Sequence, residues 1–161
     1  MNILTEILAK QKGQVEVKSI IGDEKYIFSW NNPSSIDAIT LFEEKIGYEL
    51  PIQYKELLKV ANGGIIFKSL FEEDGYKLLG IPEIERITNE LVQNGYNIPK
   101  TYYCIAQCLF SQDLIMIDLS TGKIYDGDFG YPIDEWECIS RNVNEFFIHL
   151  CQANGAMFWR W

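Results

Sequence analysis

The chain has 161 residues, 47% apolar and 14% aromatic, which is enough to fill the core of one ordinary domain and excludes intrinsic disorder. Its formal charge of −9 disfavours nucleic-acid phosphates and anionic membranes, and it predicts a basic protein, a cationic peptide or a metal ion as the electrostatic partner. No apolar run approaches the roughly 20 residues that a membrane-spanning helix needs.

The four cysteines, Cys104, Cys108, Cys138 and Cys151, form no C-x-x-C pair. In a chain long enough to fold without cross-links, such sparse thiols are typical of small buried side chains in a reducing compartment. A disulfide or a zinc site stays open as the alternative. The first residues have neither the basic start nor the long apolar run of a signal peptide, so we expect a cytoplasmic protein.

The first 34 residues predict a helix and a hairpin. Apolar residues between positions 4 and 8 lie on one helical face, and Gly13 follows as a stop. Alternating apolar residues over 15–21 and 26–30 predict two strands, which the sequence Gly22-Asp23-Glu24 joins as a turn.

Two helices are predicted next. The apolar spacing over residues 36–46 indicates an amphipathic helix that Ser35 caps and Gly47 ends. A second helix has Pro51 at its first position, where the missing N–H is tolerated, and ends at Asn62-Gly63-Gly64.

The remainder predicts strands, then a final helix. An acidic turn over 72–75 separates the first two strands, and Asn142 with Glu145 has the spacing of a helix-capping pair. We therefore predict an α+β fold with an antiparallel twisted sheet flanked by helices. The strands are predicted at 65–71, 76–79, 102–110, 114–119 and 123–125, and the helices at 82–95 and 143–150.

The segment from Ile36 to Gly64 resembles the opening two helices of the SUKH superfamily, which includes bacterial immunity proteins and a fungal regulator of cell-wall synthesis. It reads Ile36, Phe42-Glu43, Ile46-Gly47, Leu50-Pro51, Tyr54, Leu57 and Asn62-Gly63-Gly64. The strand over 114–118, which ends in an aspartate, and the helix over 143–150 follow in the family's order. We expect one SUKH-like domain over 1–161, with the resemblance strongest over 35–150 and an aromatic tail over 151–161.

This resemblance implies a protein that binds another protein and catalyses nothing, typically an immunity protein that neutralises a polymorphic toxin such as a nuclease. It carries over no catalytic residue, metal or cofactor. A regulatory adaptor that binds an endogenous protein is the alternative. A metal-dependent enzyme using Asp118, Asp126 or Asp128 is a third reading.

Motifs for catalysis are weak. His149 is the sole histidine, and no motif places a serine or cysteine nucleophile beside it. The sequence Asp126-Gly127-Asp128-Phe129-Gly130 lacks the third ligand and the twelfth-position glutamate of a calcium loop, so we interpret it as a polar turn.

Acidic residues concentrate between Asp113 and Glu145, where eight acids against Lys123 and Arg141 give a net charge of −6. Aromatic residues lie among them, and aromatic anchors with surrounding charges are typical of protein interfaces. The alternative is a solvated surface with a packed core beneath it. We predict a binding surface formed by Glu72, Glu73, Asp74, Asp126, Asp128, Tyr131, Asp134, Glu135 and Trp136.

The tail Phe158-Trp159-Arg160-Trp161 is strongly aromatic. We expect it to dock onto the core of its own chain, because exposed aromatics would form an adhesive patch. A contact between two copies is the alternative, so the protein is expected to be a monomer or a homodimer.

Overall fold

The structure, a computed structural model, describes residues 13–19, 22–71, 73–111 and 113–161, and it describes side chains from residue 25 onward. The helix predicted between positions 4 and 8 lies outside these residues. So does Glu72, which was predicted to belong to the binding surface.

The described strands form one open antiparallel sheet in which the order of the strands in space is their order in the chain. Each strand therefore pairs with the next one along the sequence. The eight described strands are β1 (Gly13–Ser19), β2 (Gly22–Trp30), β3 (Gly64–Ser69), β4 (Tyr76–Leu78), β5 (Tyr102–Cys108), β6 (Leu114–Asp118), β7 (Ile124–Gly127) and β8 (Cys138–Ser140).

Four described α-helices accompany the sheet, which confirms the α+β fold. Two of them lie between β2 and β3, one between β4 and β5, and one after β8. They are α1 (Ile36–Ile46), α2 (Ile52–Val60), α3 (Ile81–Gln93) and α4 (Val143–Gln152), and short 3-10 helices follow at Ile133–Glu135 and Phe158–Arg160.

The two ends of the sheet differ. The connections that contain α1, α2 and α3 all leave and re-enter the sheet at one end, because adjacent strands run antiparallel. The described residues of the connections β3–β4 (70–71 and 73–75), β5–β6 (109–111 and 113) and β7–β8 (128–137) lie at the other, which we call the turn end. Helix α4 starts opposite the turn end, after β8, and the residues that follow it return to that end.

Helix α1 begins and ends where the sequence predicts. The Ser35 Oγ accepts a hydrogen bond from the Ala38 N–H at 3.1 Å, which satisfies one free donor of the first turn. Gly47 has φ of +76°, a left-handed conformation that glycine adopts without a Cβ clash, and its N–H bonds to the Glu43 carbonyl. The prediction for this helix is confirmed.

Helix α2 differs in detail from the prediction. Pro51 is the N-cap and not the first helical residue. The residue that follows the helix, Ala61, is extended, so no glycine caps this end. Gly63 is left-handed, with φ of +84°, but it lies beyond the residue that caps the helix. Both glycines allow close packing, since a Cβ on Gly63 would lie 2.6 Å from the Gly80 nitrogen, and one on Gly64 would lie 2.4 Å from the Ser29 carbonyl. Neighbouring strands could not approach so closely with larger residues there.

Asn62 joins this segment to helix α3. Its Oδ1 accepts a hydrogen bond from the Ile81 N–H at 2.9 Å, so a residue 19 positions earlier caps the helix through space. Gly80, the residue that precedes the helix, has no side chain to do so.

Helix α4 carries the predicted cap, in which Asn142 Oδ1 accepts the Glu145 N–H at 2.9 Å. The Glu145 carboxylate accepts the Arg141 N–H at 2.7 Å and pairs with the Arg141 guanidinium. These bonds lower the pKa of Glu145 to about 2, with the guanidinium hydrogen bond as the largest cause.

Three turns lie elsewhere than predicted. Gly22-Asp23-Glu24 is the start of β2 and not a turn, because Ser19 already pairs with Gly22. Strands β3 and β5 end at Ser69 and Cys108, so the residues beyond them belong to turns. Strand β8 was not predicted at all, since three residues are too few for a periodic pattern.

Successive residues of a strand point to opposite faces, and both faces of β5 are covered. Tyr103 packs edge-on against Phe42 of α1, with ring centroids 6.2 Å apart, whereas Tyr102 stacks on Tyr125 at 5.5 Å. The core includes the buried apolar residues Phe28, Leu58, Ile66, Tyr76, Leu79, Ile84, Ile105, Ile115, Phe146 and Phe147.

Within the described parts of the chain, every helix is too short or too polar to cross a bilayer.

Candidate protein-binding surface

The turn end brings together segments that are far apart in the sequence. Tyr76 pairs with Cys108, and Leu109 N–H bonds to the Gly75 carbonyl, so the β3–β4 and β5–β6 turns are adjacent. Leu114 pairs with Gly127, which places the β7–β8 connection beside the β5–β6 turn. The described residues of the predicted binding surface therefore lie at one end of one sheet.

A cleft of about 380 Å³ opens at this end. Trp136 fixes part of its wall, because its indole N–H donates to the Asp128 carbonyl at 2.9 Å. The Asp128 carboxylate accepts the Gly130 N–H at 2.9 Å and so shapes the turn that follows β7. The cleft is lined by Asp126, Asp128, Tyr131, Glu135, Trp136, Glu137 and Arg160, which include five of the nine predicted residues.

Asp126 is bound by residues of its own chain. Only 7% of Asp126 is exposed, and its Oδ2 accepts the Trp159 indole N–H at 2.9 Å and the Arg160 guanidinium at 3.0 Å. Arg160 also bonds to Asp113 at 2.9 Å. A buried carboxylate needs such a cation and hydrogen bonds, so Asp126 anchors the tail in this arrangement.

The tail packs against its own chain, as the sequence predicts. Gly155, at φ of +81°, lies against the Phe67 ring, and a Cβ there would come within 2.5 Å of it. Phe158 packs on Phe146 and His149, with ring centroids 6.0 and 5.3 Å apart. His149 is thus a packing partner of the tail.

Four other acidic residues of the turn end face solvent. Glu73, Asp134, Glu135 and Glu137 are exposed, and none of them forms a salt bridge with another described residue. Asp74 instead shapes its turn, because its carboxylate accepts the Ser69 N–H at 2.7 Å. The negative charge of this surface that no salt bridge offsets comes mainly from the four exposed residues.

Exposed aromatics at the same end were missed by sequence reasoning. Phe71 is 92% exposed and Phe110 is 44% exposed, and both were assigned to strands whose true ends come earlier. Tyr131, at 61%, and Trp161, at 86%, add to them. The signal that could have found Phe71 is its place directly before the acidic turn, where a hairpin tip projects from the sheet.

Trp136 is buried, in contrast to Tyr131, and belongs to a chain of ring contacts. It lies 5.0 Å from Phe129, which in turn lies 4.6 Å from Tyr96, and it contacts Tyr102 at 6.4 Å. Burial and a hydrogen bond with Tyr125 raise the pKa of Tyr102 to about 12. These ring contacts pack the β7–β8 connection against the sheet.

The proposed metal ligands do not converge. Asp126 lies opposite Ile115, so Asp118 is about 10 Å further along β6 and points to the other face. Burial alone would raise the pKa of Asp118, but hydrogen bonds from Ser120, Thr101 and Thr121 lower it overall. In the described part of the chain, no three His, Cys, Asp or Glu side chains are grouped as a metal site.

Comparison with known proteins identifies the family of the chain. The chain is 26% identical over 165 aligned residues to the uncharacterized protein YobM of Bacillus subtilis (strain 168). The alignment covers 96% of this chain and 86% of the relative. Residues 33–149 match the model of the SMI1 / KNR4 family (SUKH-1), whose members are generally non-enzymatic and typically bind protein partners. Because the match spans most of the chain and confirms the resemblance seen in its sequence, the chain belongs to the SMI1 / KNR4 family (SUKH-1).

Proposed function

We propose that this protein is a non-enzymatic immunity protein of the cytoplasm that binds a basic toxin domain through its turn end and occludes the toxin's working surface. The observation that carries the proposal is the meeting of unpaired carboxylates with exposed aromatics there. Glu135 and Glu137 line the same cleft as Tyr131, and the neighbouring turn contains both Glu73 and the exposed Phe71. Family membership supports an immunity-type or related function.

A nuclease is the toxin class that this surface suits best. Its substrate groove must be basic in order to hold phosphates, so an acidic surface competes for the same groove. Long-range attraction raises association rates by roughly 10 to 1000-fold at low salt. The exposed aromatics would then supply the desolvated contacts that hold the complex.

The first experiment identifies the partner. The purified protein captures ligands from the lysate and the secreted fraction of the source cells at low salt, and high salt releases them. We expect a basic toxin domain that arrests growth when it is expressed alone and becomes harmless when this protein is co-expressed. A toxin-sized ligand whose toxicity persists under co-expression would refute the proposal.

The second experiment locates the contact. Reversing Asp126, Asp128 and Asp134, as the sequence alone suggests, would also release the tail, so Glu135→Lys with Glu137→Lys is the better variant. We expect its association rate with the captured toxin to fall about tenfold or more at low ionic strength and to depend less on salt.

The matched control is Glu44→Lys with Glu49→Lys, which changes the net charge equally at exposed positions outside the turn end. We expect that control to retain most of the association rate. Equal slowing in the two variants would mean that only net charge matters and that the turn end is not the contact.

A regulatory adaptor is the second candidate, favoured by the 92% exposure of Phe71 and the 86% exposure of Trp161. Contacts made by such side chains depend little on salt. A non-toxic endogenous protein that high salt does not release, and that is lost with Phe71→Ser, would establish the adaptor and overturn the immunity function.

A further inference from the structure

The turn-end cleft already holds one guanidinium. Arg160 reaches it from the tail and bonds to Asp126 at 3.0 Å and to Asp113 at 2.9 Å. The planar guanidinium, which has five donors, suits a site with several carboxylate oxygens. The position of Arg160 therefore shows which chemical group this part of the surface accommodates.

The charge in the cleft exceeds what Arg160 neutralises. Four carboxylates line it, from Asp126, Asp128, Glu135 and Glu137, and Arg160 is the single cation among the lining residues. Asp128, Glu135 and Glu137 form no salt bridge with a described residue. The lining therefore has a formal charge of −3.

Asp126 provides a separate indication. More than nine-tenths of this residue is buried, yet its Oδ1 has no hydrogen-bond partner among the described residues, although Oδ2 has two. Buried carboxylate oxygens are usually hydrogen-bonded, because an unsatisfied one destabilises the fold. This oxygen lies on a residue that lines the cleft and lacks a donor.

The walls suit a guanidinium more than an ammonium or a metal ion. Tyr131 is 61% exposed at the rim, and Trp136 lies in the wall with its indole N–H fixed on Asp128. Arginine stacks on aromatic faces and forms two parallel bonds to a carboxylate, whereas lysine presents a strongly hydrated point charge.

We propose that this cleft is the subsite for an arginine side chain of the partner protein, which enters beside Arg160 and is held by Glu135 and Glu137 against Tyr131. The inference rests on the proposed function in taking the turn end as the contact surface. It adds the residue type by which the partner is recognised.

The test uses the whole protein and a small probe. The tripeptide acetyl-Gly-Arg-Gly-amide is titrated into ¹⁵N-labelled protein, and the same peptide with citrulline, a neutral isostere of arginine, is the matched probe. We expect a saturable shift of the Trp136 indole signal with the arginine peptide, and none with citrulline. The Trp30 indole, which lies outside the turn end, should not move with either peptide.

Variants of the protein complete the test. Glu135→Gln with Glu137→Gln should weaken the arginine peptide by about tenfold, whereas Glu44→Gln with Glu49→Gln should leave its affinity unchanged. Equal shifts with citrulline, equal weakening in both variants, or no saturable shift up to the solubility limit of the peptide would each overturn the inference.

No toxin enters this experiment, so its result is separable from the proposed function. Binding of the arginine peptide by a protein that neutralises no toxin would refute the proposed function and leave the subsite supported. Neutralisation of a captured toxin without peptide binding would refute the subsite alone.

Discussion

The Arg160 guanidinium lies 3.0 Å from the Asp126 carboxylate and joins two residues that are 34 positions apart. Asp126 is nearly buried in strand β7, and its charge is offset by this contact and by the Trp159 indole. The tail is therefore bound to the sheet by a charged pair as well as by ring packing.

Removing the cation should destabilise the fold. Arg160→Gln leaves the buried Asp126 carboxylate with the Trp159 N–H alone, and we expect a loss of about 1–3 kcal/mol in the free energy of unfolding. Urea denaturation measures it. Arg86→Gln, which removes the exposed helical pair with Glu90, should cost below about 0.5 kcal/mol, and similar losses in both variants would contradict a structural role for the tail contact.

The contact between the tail and Phe67 can be tested by substituting Gly155. Gly155 and Gly47 have similar φ angles of +81° and +76°, but a Cβ at Gly155 would lie 2.5 Å from Phe67 whereas one at Gly47 would meet nothing within 4 Å. We expect Gly47→Ala to cost about 1 kcal/mol from backbone strain, and Gly155→Ala to cost about 1–3 kcal/mol more from the clash. Equal unfolding free energies for the two variants in urea would show that the tail does not rest on Phe67.

Two buried tyrosine hydroxyls should respond in opposite ways to removal. The Tyr54 hydroxyl donates to the Leu79 carbonyl at 3.1 Å, so Tyr54→Phe should lose about 1 kcal/mol of stability. The Tyr76 hydroxyl is buried without a partner among the described residues, so Tyr76→Phe should be neutral or stabilising. Thermal and urea unfolding of the two variants measure both effects, and a marked loss in Tyr76→Phe would show that its hydroxyl is hydrogen-bonded after all.

The protein should lose stability as the solution becomes alkaline. Burial raises the pKa of Cys108 to about 12 and of Cys151 to about 11, and it also raises that of Cys104, from an ordinary value of 9.0. Below pH 9 both states keep these protons. Above it the unfolded chain loses them first, so the free energy of unfolding falls by about 1.4 kcal/mol per pH unit for each group.

Urea unfolding under reducing conditions at pH values across this range measures the slope. Cys104→Ala with Cys108→Ala should make the slope shallower, whatever its effect at neutral pH. A slope that stays the same in this variant would mean that other groups, such as the buried tyrosines Tyr54 and Tyr76, cause the alkaline loss.

Local signals predicted the helices well. Ser35, Gly47 and Asn142 cap helices that begin or end next to them. Their effect is local, so it can be predicted from the sequence. The two glycines after α2 were predicted as its cap, but Ala61 is the capping residue and both glycines lie against residues distant in the chain. The sequence does not distinguish a glycine that caps a helix from one that allows such a close approach. Phe71 and Phe110 were misplaced for a related reason, since strand ends depend on pairing partners that the sequence does not name.

The sequence by itself determined the family, the α+β class, the acidic turn over 72–75 and the acidic and aromatic stretch over 113–145, because these follow from composition, short-range periodicity and an ordered motif. Only the tertiary structure decided that both stretches share the turn end, since the strand register brings Tyr76 beside Cys108 and Leu114 beside Gly127. It also separated the acids by role. Asp126 is bound to Arg160 and nearly buried while Glu135 and Glu137 face solvent, and burial and pairing depend on neighbours that are distant in the chain.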